Sequence, residues 1–217
     1  MRKPSSLRTA ALAAGLLAIA LLSGCAHTGS YNQAYLAAAR RPAIVADGKV
    51  LVVTAPADDQ FVFSGKPTSF TGSANTLTLP VGSILRESAL AAFADTFKGG
   101  ATAAAAGSAT EGGALIVAPR LLSFTYEYNQ LKNIGFAITP TAVIKVKVSV
   151  LDAKGQALWS RDYDSGNVEG PSYMISGAPA EEIVKVAHKA AYEVMYKAAR
   201  DIAAEVVKSP AAAQPPG

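Results

Sequence analysis

Two histidines are the first residues in this 217-residue chain that could carry acid–base chemistry. His27 lies among small polar residues near the start of the sequence, where no pocket is expected. His188 lies in a predicted helix with Tyr192 and Tyr196 at four-residue spacing, so the three side chains share one helix face. A Ser-His-Asp hydrolase would have to use His188, and the chain lacks the G-x-S-x-G turn of one large hydrolase class. A hydrolase is therefore the least favoured function.

The face that carries His188, Tyr192 and Tyr196 has two other interpretations. Tyrosine tolerates partial exposure and is enriched at protein interfaces, so the face could bind a partner. Alternatively, a neighbouring segment of the same chain covers it, which is the interpretation we favour.

Metal and phosphate sites are not predicted. A metal site needs clustered Cys, His or carboxylate side chains. The acidic pairs Asp58-Asp59 and Glu181-Glu182 consist of adjacent residues, whose side chains point apart. The sequence around Gly65 lacks the first glycine of a phosphate-binding loop, because position 60 is Gln. We expect no soluble cofactor.

Aromatic residues alternate along a predicted strand near residue 160. Trp159, Arg161 and Tyr163 are two residues apart, so they share one face of that strand. We expect this face to close the core over the last helix. Alternatively, it contacts a glycan, a lipid headgroup or another protein.

The first 24 residues have the order of an export signal. Arg2, Lys3 and Arg8 form a basic stretch, and residues 9–22 are almost wholly apolar. As a helix this run of about 14 residues would be about 21 Å long, against a bilayer core of about 30 Å. It is therefore a signal segment and too short for a permanent membrane span.

The residues Leu22-Ser23-Gly24-Cys25 resemble the lipobox of bacterial lipoproteins at all four positions. The resemblance implies cleavage between Gly24 and Cys25, diacylglycerol on the Cys25 sulfur, and usually a further acyl chain such as palmitate on the new amino group. Because the next residue is Ala26 and not Asp, the same resemblance implies sorting to the outer membrane. The periplasmic face is expected, and surface display stays open.

The charge of the chain does not predict nucleic-acid binding. The formal net charge is +4, but without the three basic residues of the signal the mature part keeps 17 basic and 16 acidic residues. Cys25 is the only cysteine, so no disulfide is predicted and stability must come from a hydrophobic core. We therefore expect a signal peptide (1–24), a lipidated tether (25–42), a single domain (43–208) and a disordered tail (209–217).

Hydrophobic periodicity predicts six strands and two long helices in that domain. The strands are expected at 49–54, 60–63, 75–80, 115–129, 141–152 and 156–163, with Leu122, Phe124, Tyr126 and Tyr128 facing inward in the fourth. The last two strands form an antiparallel hairpin around Gly155. The helices are expected at 81–98 and from about Pro179 to Lys208, with residues 99–113 a mobile loop. The order β-β-β-α-β-β-β-α predicts a two-layer α+β domain, with a mainly antiparallel sheet packed by two long helices.

From Pro80 onward the sequence also resembles small periplasmic lipoproteins of the YajG kind and, more distantly, the CsgG and PelC type of export accessory. The shared features are a Pro-Val-Gly start to a helix that ends in Phe, an aromatic strand, the hairpin with Asp152, Gly155, Leu158 and Trp159, and an Ala-rich final helix. The resemblance implies a non-enzymatic accessory that binds other envelope proteins, sometimes as a homo-oligomeric ring. A carrier or sensor of lipid or glycan is the alternative.

Overall fold

The computed structural model describes residues 26–105, 114–129, 137–174 and 179–208. Within this part of the chain the helices are α1 (Gln33–Ala39), α2 (Pro56–Asp59), α3 (Val81–Ala94) and α4 (Pro179–Lys208). The strands are β1 (Ala26–Thr28), β2 (Val50–Val53), β3 (Phe63–Gly65), β4 (Thr76–Leu79), β5 (Ala101–Ala104), β6 (Leu115–Asn129), β7 (Ala137–Leu151), β8 (Ala157–Asp164), β9 (Val168–Glu169) and β10 (Tyr173–Met174). They form two sheets, and the predicted α+β class is confirmed.

The larger sheet is built around the long antiparallel pair β6 and β7. β8, β9 and β10 pair in turn with the free side of β7, all antiparallel. On the other side β2 pairs parallel with both β6 and β5. Parallel neighbours need a crossover connection, and α3 lies in the one that joins β2 to β5.

Both long helices lie on one face of this sheet. Burial alternates in the middle of β7, where Ile144, Val146 and Val148 are completely buried and Lys145 and Lys147 are exposed. The predicted stripe of α4 is buried as well, through Ile183, Ala187, Ala190, Val194, Ala198 and Ile202. Burying the apolar face of an amphipathic helix on the apolar face of a sheet is what makes this two-layer arrangement stable.

The smaller sheet has the order β1-β4-β3. Leu77 and Leu79 of β4 belong to the common core, and the ring of Phe63 in β3 lies 4.8 Å edge-on from that of Phe124 in β6. This sheet therefore covers the aromatic end of β6.

Two predictions about individual strands were wrong. Leu122 is 47% exposed, because a register shift between Leu121 and Ser123 interrupts the alternation of β6. The residues predicted as a strand at 60–63 mostly follow the short helix α2, and β3 begins only at Phe63.

The loop predicted at 99–113 is regular in its first part. Residues 101–104 form β5, which extends the edge of the larger sheet beside β2. An Ala-Thr-Ala-Ala sequence has no strand periodicity, so only the tertiary pairing makes it a strand. The rest of the predicted loop, from residue 106, lies outside the described residues.

Within the stretch predicted as a tether (25–42), residues 33–39 form α1, which agrees with the short helix that the sequence suggests between Tyr31 and Arg41, whereas the pairing of residues 26–28 as β1 was not predicted. Leu36 of α1 is 5% exposed and belongs to the hydrophobic core. The residues before Ala26 and after Lys208, which include the predicted signal and tail, lie outside the described residues.

Candidate functional site

Residues 26–41, which we call the N-terminal segment, cover the helix face on which sequence analysis placed His188, Tyr192 and Tyr196. α1 begins at Gln33 because the Asn32 side chain caps it, accepting a hydrogen bond from the Ala34 amide at 2.9 Å. It ends at Ala39. After it, the Arg40 side chain bonds to Asp95 and the Arg41 amide bonds to the Tyr192 hydroxyl of α4.

His188 is fully buried beneath the start of this segment. Its Nδ1 lies 2.7 Å from the Val184 carbonyl oxygen, and its Nε2 accepts a hydrogen bond from the Asn32 amide at 3.0 Å. The ring is therefore neutral with its proton on Nδ1. Burial lowers the pKa of His188, although the bond to the Val184 carbonyl opposes this shift.

The rings of Tyr31 and Tyr35 complete the environment of this histidine, with centroids 5.5 and 5.7 Å from the imidazole. The Tyr35 hydroxyl donates to Glu181 at 2.9 Å, and Glu181 also forms an ion pair with Lys185. Both imidazole nitrogens of His188 are bonded to backbone groups, so neither is available to activate a nucleophile.

A second polar cluster holds the end of the N-terminal segment. The Arg40 guanidinium donates to both carboxylate oxygens of Asp95, which is only 2% exposed. The Tyr192 hydroxyl donates to Asp95 Oδ2 at 2.9 Å and accepts from the Arg41 amide at 2.8 Å. Burial, with the nearby Asp95 carboxylate, raises the pKa of Tyr192. This cluster therefore connects the end of the N-terminal segment to α4 and to the C-terminal end of α3.

Asn32, Arg40 and Asp95 belong to no motif in the sequence. Asp95 directly follows the last residue of α3 and lies off the apolar stripe of that helix, where a solvated position is the ordinary expectation. Its partners are 55 and 97 residues away along the chain, so no local pattern could have revealed the cluster.

Tyr196 lies one turn beyond Tyr192, with the two rings stacked 5.6 Å apart. It borders a cleft of about 280 Å³, lined by Arg41, Asp164, Ser165, Tyr192, Glu193, Val194, Tyr196 and Lys197. Both signs of charge are present on its walls, so the cleft could take a small polar group. Of the predicted stripe, then, His188 and Tyr192 are internal and Tyr196 is half-buried.

The predicted aromatic face of β8 lies toward α4. Arg161 stacks over Trp159, with the guanidinium carbon 5.3 Å from the ring centroid, and donates to Asp201 of α4 at 3.1 Å. Tyr163 is 4% exposed, and burial raises its pKa to about 12. Trp159 packs against the core but remains partly exposed. The structure thus brings the three residues together as part of the packing of β8 on α4.

The described residues contain no group of three His, Cys, Asp or Glu side chains that could hold a metal ion. Within the same part of the chain, no helix is long and apolar enough to cross a membrane. Gly24 and Cys25, the predicted cleavage and lipidation residues, lie outside the described residues.

No family model and no curated protein sequence matches this chain. Among solved structures, it resembles a DUF330 protein from Xanthomonas campestris with a TM-score of 0.51 and 14% identity, over 86% of this chain and 98% of that one. A candidate lipoprotein from Caulobacter crescentus gives a TM-score of 0.36 at 16% identity, over 77% of this chain and 93% of that one. The PelC dodecamer from Paraburkholderia phytofirmans gives 0.34 at 15% identity, over 71% and 94%.

The second and third of these similarities are too distant in shape to carry an argument. The first has a TM-score above one half over nearly the whole of both chains. At 14% identity it supports a shared fold and nothing about function. The chain therefore has the fold of the Xanthomonas campestris protein.

Proposed function

We propose that this chain is a lipoprotein of the bacterial envelope, anchored through lipids on Cys25 and acting as a non-enzymatic binding or assembly module. Its expected place is the periplasmic face of the outer membrane, and its expected partners are components of an export or envelope-assembly complex. The observation that carries the proposal is the sequence Leu22-Ser23-Gly24-Cys25, which resembles a lipobox and ends directly before the first residue of β1.

The position of β1 supports a function close to the membrane. Because Cys25 directly precedes a residue paired in a sheet, its Cα lies about 4 Å from that of Ala26. A lipid on Cys25 would therefore hold the folded domain against the bilayer surface. A module held in this way suits partners that are themselves in or on the same membrane.

The state of His188 supports a role without catalysis. A general base must reach the proton that it abstracts, and His188 is buried with both nitrogens bonded to the chain. The polar clusters of the site serve instead to fasten the N-terminal segment to α3 and α4.

Crosslinking in living cells, followed by purification and mass spectrometry, tests this function. The matched control is Cys25→Ala, which removes the lipid attachment site and keeps the domain sequence. We expect labelled palmitate in the wild-type protein and none in the control. We also expect a defined set of envelope proteins to crosslink to the wild-type protein and not to the control. A palmitate-free wild-type protein, or an unchanged set of partners in the control, would refute the proposal. Self-crosslinks alone would indicate a homo-oligomer.

The alternative function is a carrier or sensor of lipid or glycan. The observation that favours it is the partly exposed Trp159 with Arg161 stacked on it, since an aromatic ring can bind a headgroup cation and a basic side chain an anionic headgroup. Trp159 is the only tryptophan, so its fluorescence reports on this place alone. A change in emission on titration with envelope lipids or glycans would favour the carrier, and a flat titration would exclude it.

A further inference from the structure

The loop at residues 66–75, which joins β3 to β4, contains the most exposed apolar side chain described. Phe70 is 95% exposed, whereas the other exposed large apolar side chains range from 41% to 71%. We propose that this loop is a membrane contact, with the Phe70 ring in the interface of the phospholipid bilayer that holds the Cys25 lipids. The inference rests on the lipid anchor of the proposed function and extends it to a defined surface.

Strand register places this loop at the end of the small sheet where Ala26, the residue after Cys25, begins β1. β1 runs parallel to β4 with Ala26 opposite Thr76, so both strands begin at the same end of the small sheet. β3 is antiparallel to β4 with Gly65 opposite Leu77, so β3 ends there as well. Neighbouring strands are about 5 Å apart, so the loop lies one or two strand spacings from the point where the chain leaves Cys25.

The loop is held in a fixed shape that keeps Phe70 outward. The Thr68 amide donates to the Tyr126 carbonyl oxygen, and the Tyr128 amide donates to Ser69 Oγ, both at 2.9 Å. Beyond Phe70, Gly72 has a φ of +78° and packs so closely on Tyr128 that a Cβ there would meet the ring. An apolar side chain held in water by a rigid loop points to a partner that buries it.

The composition of the loop fits a lipid surface. It contains Lys66, which is exposed, and no acidic residue. Phenylalanine is among the apolar side chains that bury at the boundary between headgroups and acyl chains, and a nearby lysine can reach anionic headgroups. Met174, which is 60% exposed, lies at the same end of the molecule, where β10 pairs with the start of β7. The other exposed apolar side chains next to β3, Phe61 and Val62, lie at its opposite end.

A single tryptophan at position 70 tests the contact. The variant carries Phe70→Trp and Trp159→Phe and is studied as the lipidated full protein in phospholipid vesicles that contain lipids brominated along their acyl chains. We expect a blue-shifted emission and at least twofold quenching by the brominated lipids. The matched control is Val62→Trp with Trp159→Phe, at an exposed position on the far end of β3, which should keep aqueous emission and show no quenching.

A second variant covers the case in which loss of Trp159 disturbs folding. Phe70→Cys, labelled with an environment-sensitive fluorophore, keeps Trp159 in place, and the label is specific because lipid occupies the Cys25 sulfur. The label should respond to the vesicles as the tryptophan introduced at position 70 does.

The outcomes separate the two proposals. If mass spectrometry finds no lipid on Cys25, both the anchor and the contact are wrong. If lipid is present but position 70 stays aqueous, only the contact is wrong. Equal quenching at 62 and 70, or a blue shift at 70 without quenching, would also overturn it, the latter because a protein surface and not lipid would then cover the loop.

Discussion

Asp95 accepts hydrogen bonds from Arg40 and from Tyr192 at a position that is 2% exposed. The change Asp95→Asn keeps the shape of the side chain and removes its charge, which leaves Arg40 without its ionic partner. Breaking a buried charge pair is costly, and the partial exposure of Arg40 reduces the cost. We expect a loss of about 2 kcal/mol in the free energy of unfolding. Urea denaturation followed by far-UV circular dichroism measures it.

Asp47→Asn is the matched control for that change. Asp47 pairs with Lys98 at 3.7 Å, but its side chain is 91% exposed. Such pairs contribute little, so we expect a change below about 0.5 kcal/mol. Similar effects of the two substitutions would show that the cluster around Asp95 does not fasten the N-terminal segment.

His188 makes stability depend on pH in a predictable direction. Burial lowers its pKa in the folded protein below the ordinary 6.5, so at mildly acidic pH the unfolded chain binds the proton more strongly. Stability is therefore full above pH 6.5 and is lost as the pH falls from there toward the folded pKa. The slope should reach at most about 1.4 kcal/mol per pH unit.

Thermal unfolding between pH 5 and 8 checks this dependence against His188→Gln. Glutamine can still accept the hydrogen bond from the Asn32 amide but does not titrate, and His27 is present in both proteins. The variant should be less stable at pH 8 and lose less stability on acidification. Parallel pH profiles for the two proteins would contradict the buried neutral state of His188.

At the level of single residues, the sequence placed His188 and Tyr192 on one face of α4, and that placement agrees with the structure. It also offered a covering segment as the explanation for that face. The sequence did not indicate that residues 31–41 are the segment that covers this face. The short stretch has one strongly buried side chain, Leu36, and its polar anchors bind residues more than 50 positions away.

At the level of the elements, the register shift in β6 can be tested by comparing substitutions at Leu121 and Leu122. Leu121 packs against the core while Leu122 is 47% exposed, although simple alternation predicted Leu122 as the inward residue. Leu121→Ala should therefore cost about 2 kcal/mol in the free energy of unfolding, and Leu122→Ala less than about 0.5 kcal/mol. Equilibrium urea unfolding of the two variants measures these free energies. A larger loss for Leu122→Ala than for Leu121→Ala would contradict the register shift.

The long elements were predictable because their patterns repeat many times. α3, α4 and the hairpin of β7 and β8 each have several turns or alternations of apolar residues, and all are confirmed. β1 and β5, with three and four residues, contain too few residues for a period to be recognised. They become strands because β4 and β2 offer unpaired backbone groups, which is a tertiary effect.

At the scale of the whole molecule, the two ends of the N-terminal segment have different roles. Its beginning, β1, fixes where an anchor on Cys25 must lie relative to the domain. Its end, at Arg40 and Arg41, is fastened to α3 and α4 by the Asp95 cluster. In the proposed lipoprotein, this segment would connect the anchor to the domain through residues that are paired at its start and hydrogen-bonded to the domain at its end.

Lengthening the connection between Cys25 and Ala26 tests whether this rigid placement matters. A 20-residue Gly/Ser linker there has a root-mean-square span of about 25 Å, so the domain could leave the bilayer while the lipid remains. We expect unchanged lipidation and thermal stability but a severalfold loss of crosslinks to envelope proteins. The control is the same linker inserted after Lys208, beyond the end of α4, which should keep the crosslinks. If the N-terminal linker leaves the crosslinks intact, the domain does not work at the membrane surface and the direct junction of anchor and β1 has no functional role.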